Sequence, residues 1–314
     1  MKMARTLLTI FLALFLTACS GGAPRDVTVV IPEGASIRKA GDILEQAGAV
    51  DSASSFVNHA RFFGGDAPIK PGEYQVKAGM DAGDVLGLLQ SGKTLQRFIT
   101  VPEGMPSILV WERLMAQERL TGDIPVPPEG SLLPDTYSFV TGEPRAAVVK
   151  RMQDAMDKAF AELWAKRSPR AGVKNRNEAI TLASIVEKET SVAAERRTVA
   201  GVYTNRLALG MRLQADPTII YPYTKGKPLG RRILRSERDA VNDYNTYSIV
   251  GLPIGPIANP GKASIAAVLD PAPTRYLYFV ADGKGGHIFA ETYAEHDRNV
   301  DRWFEIRRAR GEME

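Results

Sequence analysis

A chain of 314 residues is long enough for two packed domains, and 44% hydrophobic with 24% charged residues is the balance of a globular protein. The net charge is +4, from 40 basic and 36 acidic side chains, and falls to about +2 once Lys2 and Arg5 are set aside; that is too little to favour nucleic acid, although residues 231–238 are locally basic. A lone cysteine excludes a disulfide framework within the chain and any thiol-based metal cluster.

In chain order, Lys2 and Arg5 precede an apolar run over residues 7–16. The run suits the core of a signal peptide and falls short of the ~20 residues that span a bilayer. It ends in Leu16-Thr17-Ala18-Cys19, which resembles the lipobox of bacterial lipoproteins and implies cleavage before Cys19 and lipidation of Cys19. An uncleaved short anchor is the alternative. Either way residues 1–19 export the body and hold it at a membrane. Residues 20–26, containing Gly, Ser and Pro, read as a tether.

Residues 27–31 are a β-branched run that predicts a strand, and Pro32-Glu33-Gly34 predicts a turn. Ser36 is placed to cap a helix carrying Ile37, Ala40, Ile43 and Leu44. A second helix is predicted over 54–63, a strand over 72–76 and a helix over 81–89 with Val85, Leu86 and Leu89 on one face. Strand, two helices and strand make a small α+β module. Residues 27–98 resemble a LysM-like peptidoglycan-binding module in order and turn chemistry; a generic α+β domain fits the same pattern. Residues 98–104, with Pro102-Glu103-Gly104, echo residues 29–34, and residues 107–120 repeat the helical pattern.

A proline-rich loop over 124–128 leads into Ser131-Leu132-Leu133-Pro134-Asp135-Thr136-Tyr137. There Leu132 and Leu133 are expected to be buried, and Asp135 and Tyr137 to brace the fold. Residues 146–167 form an amphipathic helix with Val149, Met152, Met156, Phe160 and Leu163 along one side. Residues 179–191 predict the helix around which the 99–314 domain is built. A further helix over 194–209 ends at Gly210, as a left-handed cap would end it. Gln214-Ala215-Asp216-Pro217-Thr218 reads as a loop, and residues 251–261 are too rich in Pro and Gly for regular structure. A helix over 264–269, a buried strand over 276–281, a tight turn over 282–287 and an amphipathic helix over 294–308 complete the chain. The fold class is α+β: a small N-terminal module followed by a mixed α+β domain.

The stretch AITLASIVEKETS at 179–191 holds the chemistry. At ~100° per residue, Leu182, Ala183, Ile185 and Val186 form one apolar stripe, and Glu189 falls inside it. Glu187 lies roughly 160° round the helix from Glu189, just past the edge of the stripe. A carboxyl on a buried face is costly when charged, so its pKa rises and it becomes a general acid near neutral pH. The plainer alternative is that Glu189 ends the stripe and points to water.

No GxSxG, HExxH or Walker A pattern occurs, and His59, His287 and His296 have no metal-ligand spacing; the chain calls for no cofactor and no metal. His287, in a glycine turn, is expected to hydrogen-bond locally. Carboxylate chemistry remains. Hydrolytic glycosidases use two carboxylates across one bond, and Glu187 and Glu189 face different sides of a helix. A one-carboxylate reaction fits better: a glutamic acid protonates the glycosidic oxygen, and its carboxylate then takes a proton from a hydroxyl of the same sugar, which attacks C1 to give an anhydro sugar.

Six separated blocks carry a family resemblance: Leu133-Pro134-Asp135-Thr136-Tyr137; Leu182 to Thr190; Asn205-Arg206-Leu207 with Gly210 to Gln214 and Asp216-Pro217-Thr218; Tyr244-Asn245-Thr246-Tyr247; Gly251-Leu252-Pro253; and Tyr278 to Gly283. The chain resembles the YceG-like endolytic murein transglycosylases over nearly all of its exported length. The resemblance implies cleavage of the MurNAc–GlcNAc bond in nascent peptidoglycan, 1,6-anhydroMurNAc ends, an end to glycan elongation near peptidoglycan synthases, and a place at the periplasmic face of the inner membrane. It places the catalytic glutamate in the Glu187-Lys188-Glu189 block. Glu189 is followed by Thr190, similar to the Glu-Ser pair of other lytic transglycosylases and goose-type lysozymes. Glu189 is the expected acid and Glu187 the alternative, which could instead pair with Arg196 or Arg197.

Gln214 and Asp216 are expected to bind acetamide or hydroxyl groups, unless Asp216 merely caps a turn stiffened by Pro217. Tyr244, Asn245 and Tyr247 are expected to stack on sugar rings and bind N-acetyl groups, or else to form a packed loop. Two features depart from the family: its members carry a transmembrane anchor rather than a lipobox, and Ser131-Leu132-Leu133 stands where aromatic residues are common. Two rival functions are a peptidoglycan-binding scaffold without catalysis, and a two-carboxylate muramidase with Asp216 or Asp135 as second acid.

Overall fold

The computed structural model describes residues 23–312. The leader, Cys19 and the first part of the tether lie outside them. Among the described residues no helix is long and apolar enough to cross a membrane. The chain forms two compact units, one of residues up to 97 together with 138–143, the other of 98–137 and 144 onward.

In the first unit β1 (Val27–Ile31) pairs antiparallel with β2 (Gly72–Val76), Val27 opposite Val76 and Ile31 opposite Gly72. Three helices accompany them: α1 (Ile37–Gln46), α2 (Ala53–Phe63) and α3 (Ala82–Ser91). Each begins at a side chain that accepts a free backbone N–H: Ser36 from Lys39, Ser52 from Ser55, and Asp81 from Gly83 and Asp84. Strand alternation turns Val29, Ile31, Tyr74 and Val76 inward, where they pack with Leu44, Phe56, Val85 and Leu89. The expected boundary at 98 misses a return of the chain. Glu73 is buried at 2% exposure and accepts bonds from Arg97 at 2.7 and 3.1 Å and from the Thr141 hydroxyl at 2.7 Å. A buried carboxylate needs such partners, and they bring residues 138–143 into this unit.

The chain continues through β3 (Arg97–Thr100), α4 (Ser107–Met115), β4 (Thr136–Phe139) and α5 (Arg145–Ala165), with β3 paired to β4. The periodicity predicts α4 as far as residue 120, but it stops at Met115. The buried Arg145 guanidinium donates to the carbonyls of Leu114, Met115, Gln117 and Gly122, closing the helix end and the turn after it.

The second unit is organised on α6 (Arg176–Glu189), capped by Asn175, whose side chain accepts from the Glu178 N–H. One apolar stripe was expected; instead every residue from Ala179 to Val186 is buried, Thr181 and Ser184 included. The polar pair is accommodated in part by the Ser184 hydroxyl, which donates to the Thr181 carbonyl and accepts from the Ile257 N–H at 3.0 Å. Around α6 pack α7 (Arg196–Ala208), α8 (Asp216–Thr224) and, beyond the short α9 (Arg235–Asp239), α10 (Lys262–Leu269). The hairpin of β5 (Tyr278–Ala281) and β6 (His287–Ala290) leads to α11 (Tyr293–Ala309). Strand β5 is shorter than expected and only half-buried.

The loop over 251–261 is ordered by one side chain. Asn259 is wholly buried; its amide donates to the Met105 carbonyl, the Ser107 hydroxyl and Glu129 at 3.0, 3.0 and 3.3 Å, and its oxygen accepts from the Leu132 N–H at 3.1 Å. Leu132 and Leu133 are buried as expected.

Candidate active site

Helix α6 ends at Glu189, because Thr190 leaves helical geometry at φ −139° and ψ 131°. The side chain of Glu189 therefore projects from the end of a rigid, buried rod into a cleft of about 470 Å³. Tyr203 and Arg206 of α7, Gln214 and Asp216 before and at the start of α8, Tyr247, and Tyr278 of β5 line that cleft with it. The Oε1 atom of Glu189 is buried and has no hydrogen-bond partner among the described residues. Burial pushes the Glu189 carboxyl up to about 7 from its ordinary 4.5; a hydrogen bond with the Tyr203 hydroxyl opposes the rise, the Asp216 charge adds to it, and Arg206 opposes it. The group thus holds a proton through much of the neutral range and can lose it.

Tyr203 and Arg206 stand three residues apart on α7 and share a face. Tyr203 is 1% exposed, and burial raises its phenol well above the ordinary value. Arg206 is held by carbonyls rather than by a carboxylate: Nε donates to Leu277 at 2.6 Å, and Nη1 to Leu213 at 2.8 Å and Arg212 at 3.2 Å. Its charge centre lies 5.2 Å from the centre of the Tyr278 ring. The same Nη1 is 3.4 Å from the Gln214 side-chain oxygen. Gln214 adopts φ +53°, a left-handed conformation costly for a residue with a Cβ, fixed by its N–H on the Thr246 carbonyl at 3.2 Å. Asp216 accepts a 2.7 Å bond from the Tyr247 hydroxyl. The arrangement provides one carboxyl that burial keeps protonated up to about 7, a second acidic side chain accepting from a phenol, and a buried cation.

The model of the YceG-like family matches residues 29–302. The chain belongs to the YceG-like family. Among proteins similar to this YceG-like chain is an endolytic murein transglycosylase of Bacillus subtilis, 28% identical, with 88% of this chain and 84% of that protein covered. Another is an endolytic murein transglycosylase of Streptococcus pneumoniae, 31% identical over 87% of this chain; the chain spans only 58% of that relative. A crystal structure of a yceG-like protein from Listeria monocytogenes superposes with a TM-score of 0.55 at 28% identity, covering 87% of this chain and 98% of that one.

Of the side chains singled out from the sequence, Glu189, Gln214, Asp216 and Tyr247 meet in the cleft of this YceG-like domain, and two expected partners do not. Asn245 is wholly buried, with its amide donating to the Arg238 and Ala240 carbonyls at 2.9 and 2.6 Å and its oxygen accepting from the Tyr247 N–H at 3.0 Å. It shapes the turn that presents Tyr247. Tyr244 turns away to Tyr221, ring centres 4.8 Å apart. Glu187 does not line the cleft either: its Oε2 accepts from the Gly261 N–H at 2.9 Å, and Arg196 stands 4.0 Å from its other oxygen, while Arg197 pairs with Asp270. Asp135 accepts from its neighbour Thr136 and is not a cleft residue, and the Tyr137 hydroxyl donates to the Leu133 carbonyl at 2.6 Å. His287 bonds far from its own turn, with Nδ1 2.8 Å from Glu195; Asp282 caps that turn instead, accepting from Lys284 and Gly286. Residues 214–218 are not all loop, since Asp216-Pro217 opens α8 with proline at a first-turn position where no N–H is needed. Tyr203 and Tyr278 enter the site without having been singled out for chemistry; the spacing of Tyr203 and Arg206 was the signal available.

Proposed function

We propose that this chain is an endolytic peptidoglycan lytic transglycosylase and that Glu189 is its single acid–base group. The observation that carries the reading is the Glu189 carboxyl, raised to about 7 by burial and with its Oε1 free of partners among the described residues. Protonated Glu189 donates to the oxygen linking MurNAc to GlcNAc, the C1–O bond breaks, and GlcNAc leaves with that proton on its O4. The Glu189 carboxylate then takes the proton of the MurNAc C6 hydroxyl as O6 bonds to C1, closing the 1,6-anhydro ring. The enzyme ends as it began, and no water is consumed. Arg206 offsets the negative charge that Glu189 carries between the steps. Gln214 and Asp216 are assigned to hydroxyl and acetamide groups of the sugar, and Tyr247 orients Asp216.

The same reading assigns residues 27–98 to a LysM-like glycan-holding module and residues 99–314 to catalysis. It ties the chain to the periplasmic face of the inner membrane, through a lipid on Cys19 or an uncleaved anchor. There it ends glycan elongation beside peptidoglycan synthases.

Mass spectrometry of digested peptidoglycan tests the reaction: anhydroMurNAc ends support it, and reducing ends overturn it. A two-carboxylate hydrolase is the second reading, favoured by Asp216 lying in the same cleft as Glu189. A non-catalytic scaffold is set aside if Glu189→Gln abolishes the product.

A further inference from the structure

Among the polar side chains of the cleft that have no role in the reaction above, one is an unpaired histidine. His296, on the first turns of α11, lines the cleft that holds Glu189. Its ring stacks on Tyr278, centres 5.1 Å apart and planes 21° apart, and Tyr278 in turn faces Arg206. Its Nδ1 is buried with no hydrogen-bond partner among the described residues. A stacking ring alone needs no nitrogen, and a phenyl group would fill the place without an unsatisfied buried atom. An enclosed Nδ1 is out of a ligand's reach, so the nitrogen with which this cleft-lining ring can meet a ligand is Nε2.

We propose that His296 is a substrate-contacting residue, its imidazole hydrogen-bonding a hydroxyl or acetamide of the amino sugar seated against Glu189. Two observations define the role. Burial, with the nearby Arg206 charge, holds His296 below its ordinary value while Asp297 opposes the shift, so the ring is uncharged at neutral pH and suits uncharged sugar substituents. Stacking on Tyr278 fixes the ring plane, which makes the contact directional. His296 positions the sugar and moves no proton in the reaction.

This rests on the carbohydrate reading above and is tested apart from it. The full chain, with labelled histidine, is titrated with the N-acetylglucosamine tetramer and followed by NMR. The His296 ring signals are expected to shift; no change up to millimolar tetramer overturns the proposal. His296→Phe keeps the stacking and removes the nitrogens. It is expected to bind the tetramer about fivefold more weakly, the loss of one hydrogen bond, and to raise KM on glycan strands with kcat nearly unchanged. His296→Gln is expected to recover part of the affinity, and serves alone if the Phe variant does not fold. Tetramer binding by His296→Phe within twofold of the parent overturns the contact even if anhydro ends are formed normally. A parent chain that shifts His296 on titration yet makes no anhydro ends removes the reaction and leaves the contact standing.

Discussion

The Tyr247 hydroxyl donates to Asp216 at 2.7 Å in the cleft where Glu189 stands. Asp216 is thereby fixed close enough to raise the Glu189 carboxyl. Asp216→Asn removes that charge, so the alkaline limb of kcat/KM is expected to move to lower pH while turnover on glycan strands persists at acid pH. A hydrolase using Asp216 as second carboxylate would instead lose turnover at every pH. Paired pH–rate profiles of parent and variant distinguish the two.

Glu189→Gln is expected to lower kcat by about a thousandfold, the scale of losing a general acid–base group. It also changes how stability depends on pH. The native carboxyl titrates near 7 against 4.5 when unfolded. Its stabilising contribution is therefore complete below 4.5 and lost as pH rises to 7, by about 3 kcal/mol at roughly 1.4 kcal/mol per pH unit. Urea unfolding across that range should show the parent weakening relative to Glu189→Gln, with the difference level above pH 7.

Glu187 accepts the Gly261 N–H and does not line the cleft. Glu187→Gln keeps an acceptor oxygen and should retain activity within a few-fold. Glu187→Ala strands a buried N–H and should cost about 1–3 kcal/mol of stability. Activity assays beside melting curves check both; loss of the anhydro product in the glutamine variant would move the acid to Glu187.

Asn259 satisfies four groups from two separate segments, 105–107 and 129–132, within one buried amide. Asn259→Ala should destabilise the chain by about 3 kcal/mol, since several partners lose their bonds at once. Denaturant midpoints measure this, and a cost near zero would show that water replaces the amide.

The helix and the inward placement of Glu189 are legible because both are local. The apolar residues repeat at helical spacing and Glu189 falls within their arc, although the helix begins earlier than 179, at Arg176 behind its Asn175 cap. Burial all round residues 179–186 of α6 is not legible, because it takes the distant α10 as well as the neighbouring α7 and α8 to cover every face. Tyr244-Asn245-Thr246-Tyr247 shows the same limit at finer scale. Tyr244, Asn245 and Tyr247 read as one sugar-binding surface or else a packed loop; the turn sends Asn245 inward to carbonyls and Tyr244 toward Tyr221, and leaves Tyr247 in the cleft. Arg206 could be placed on a helix face, but its partners at 212, 213 and 277 exist only once the chain has returned.

The solitary buried oxygen of Glu189 also bears on inhibition. A sugar analogue with a basic nitrogen where C1 would sit gives the Glu189 carboxyl a cationic partner and draws its proton, forming a charge-assisted ion pair. An analogue of the same shape without the nitrogen gains none of this, so iminosugar mimics of MurNAc should outbind their neutral counterparts, taking the pocket's proton as they enter.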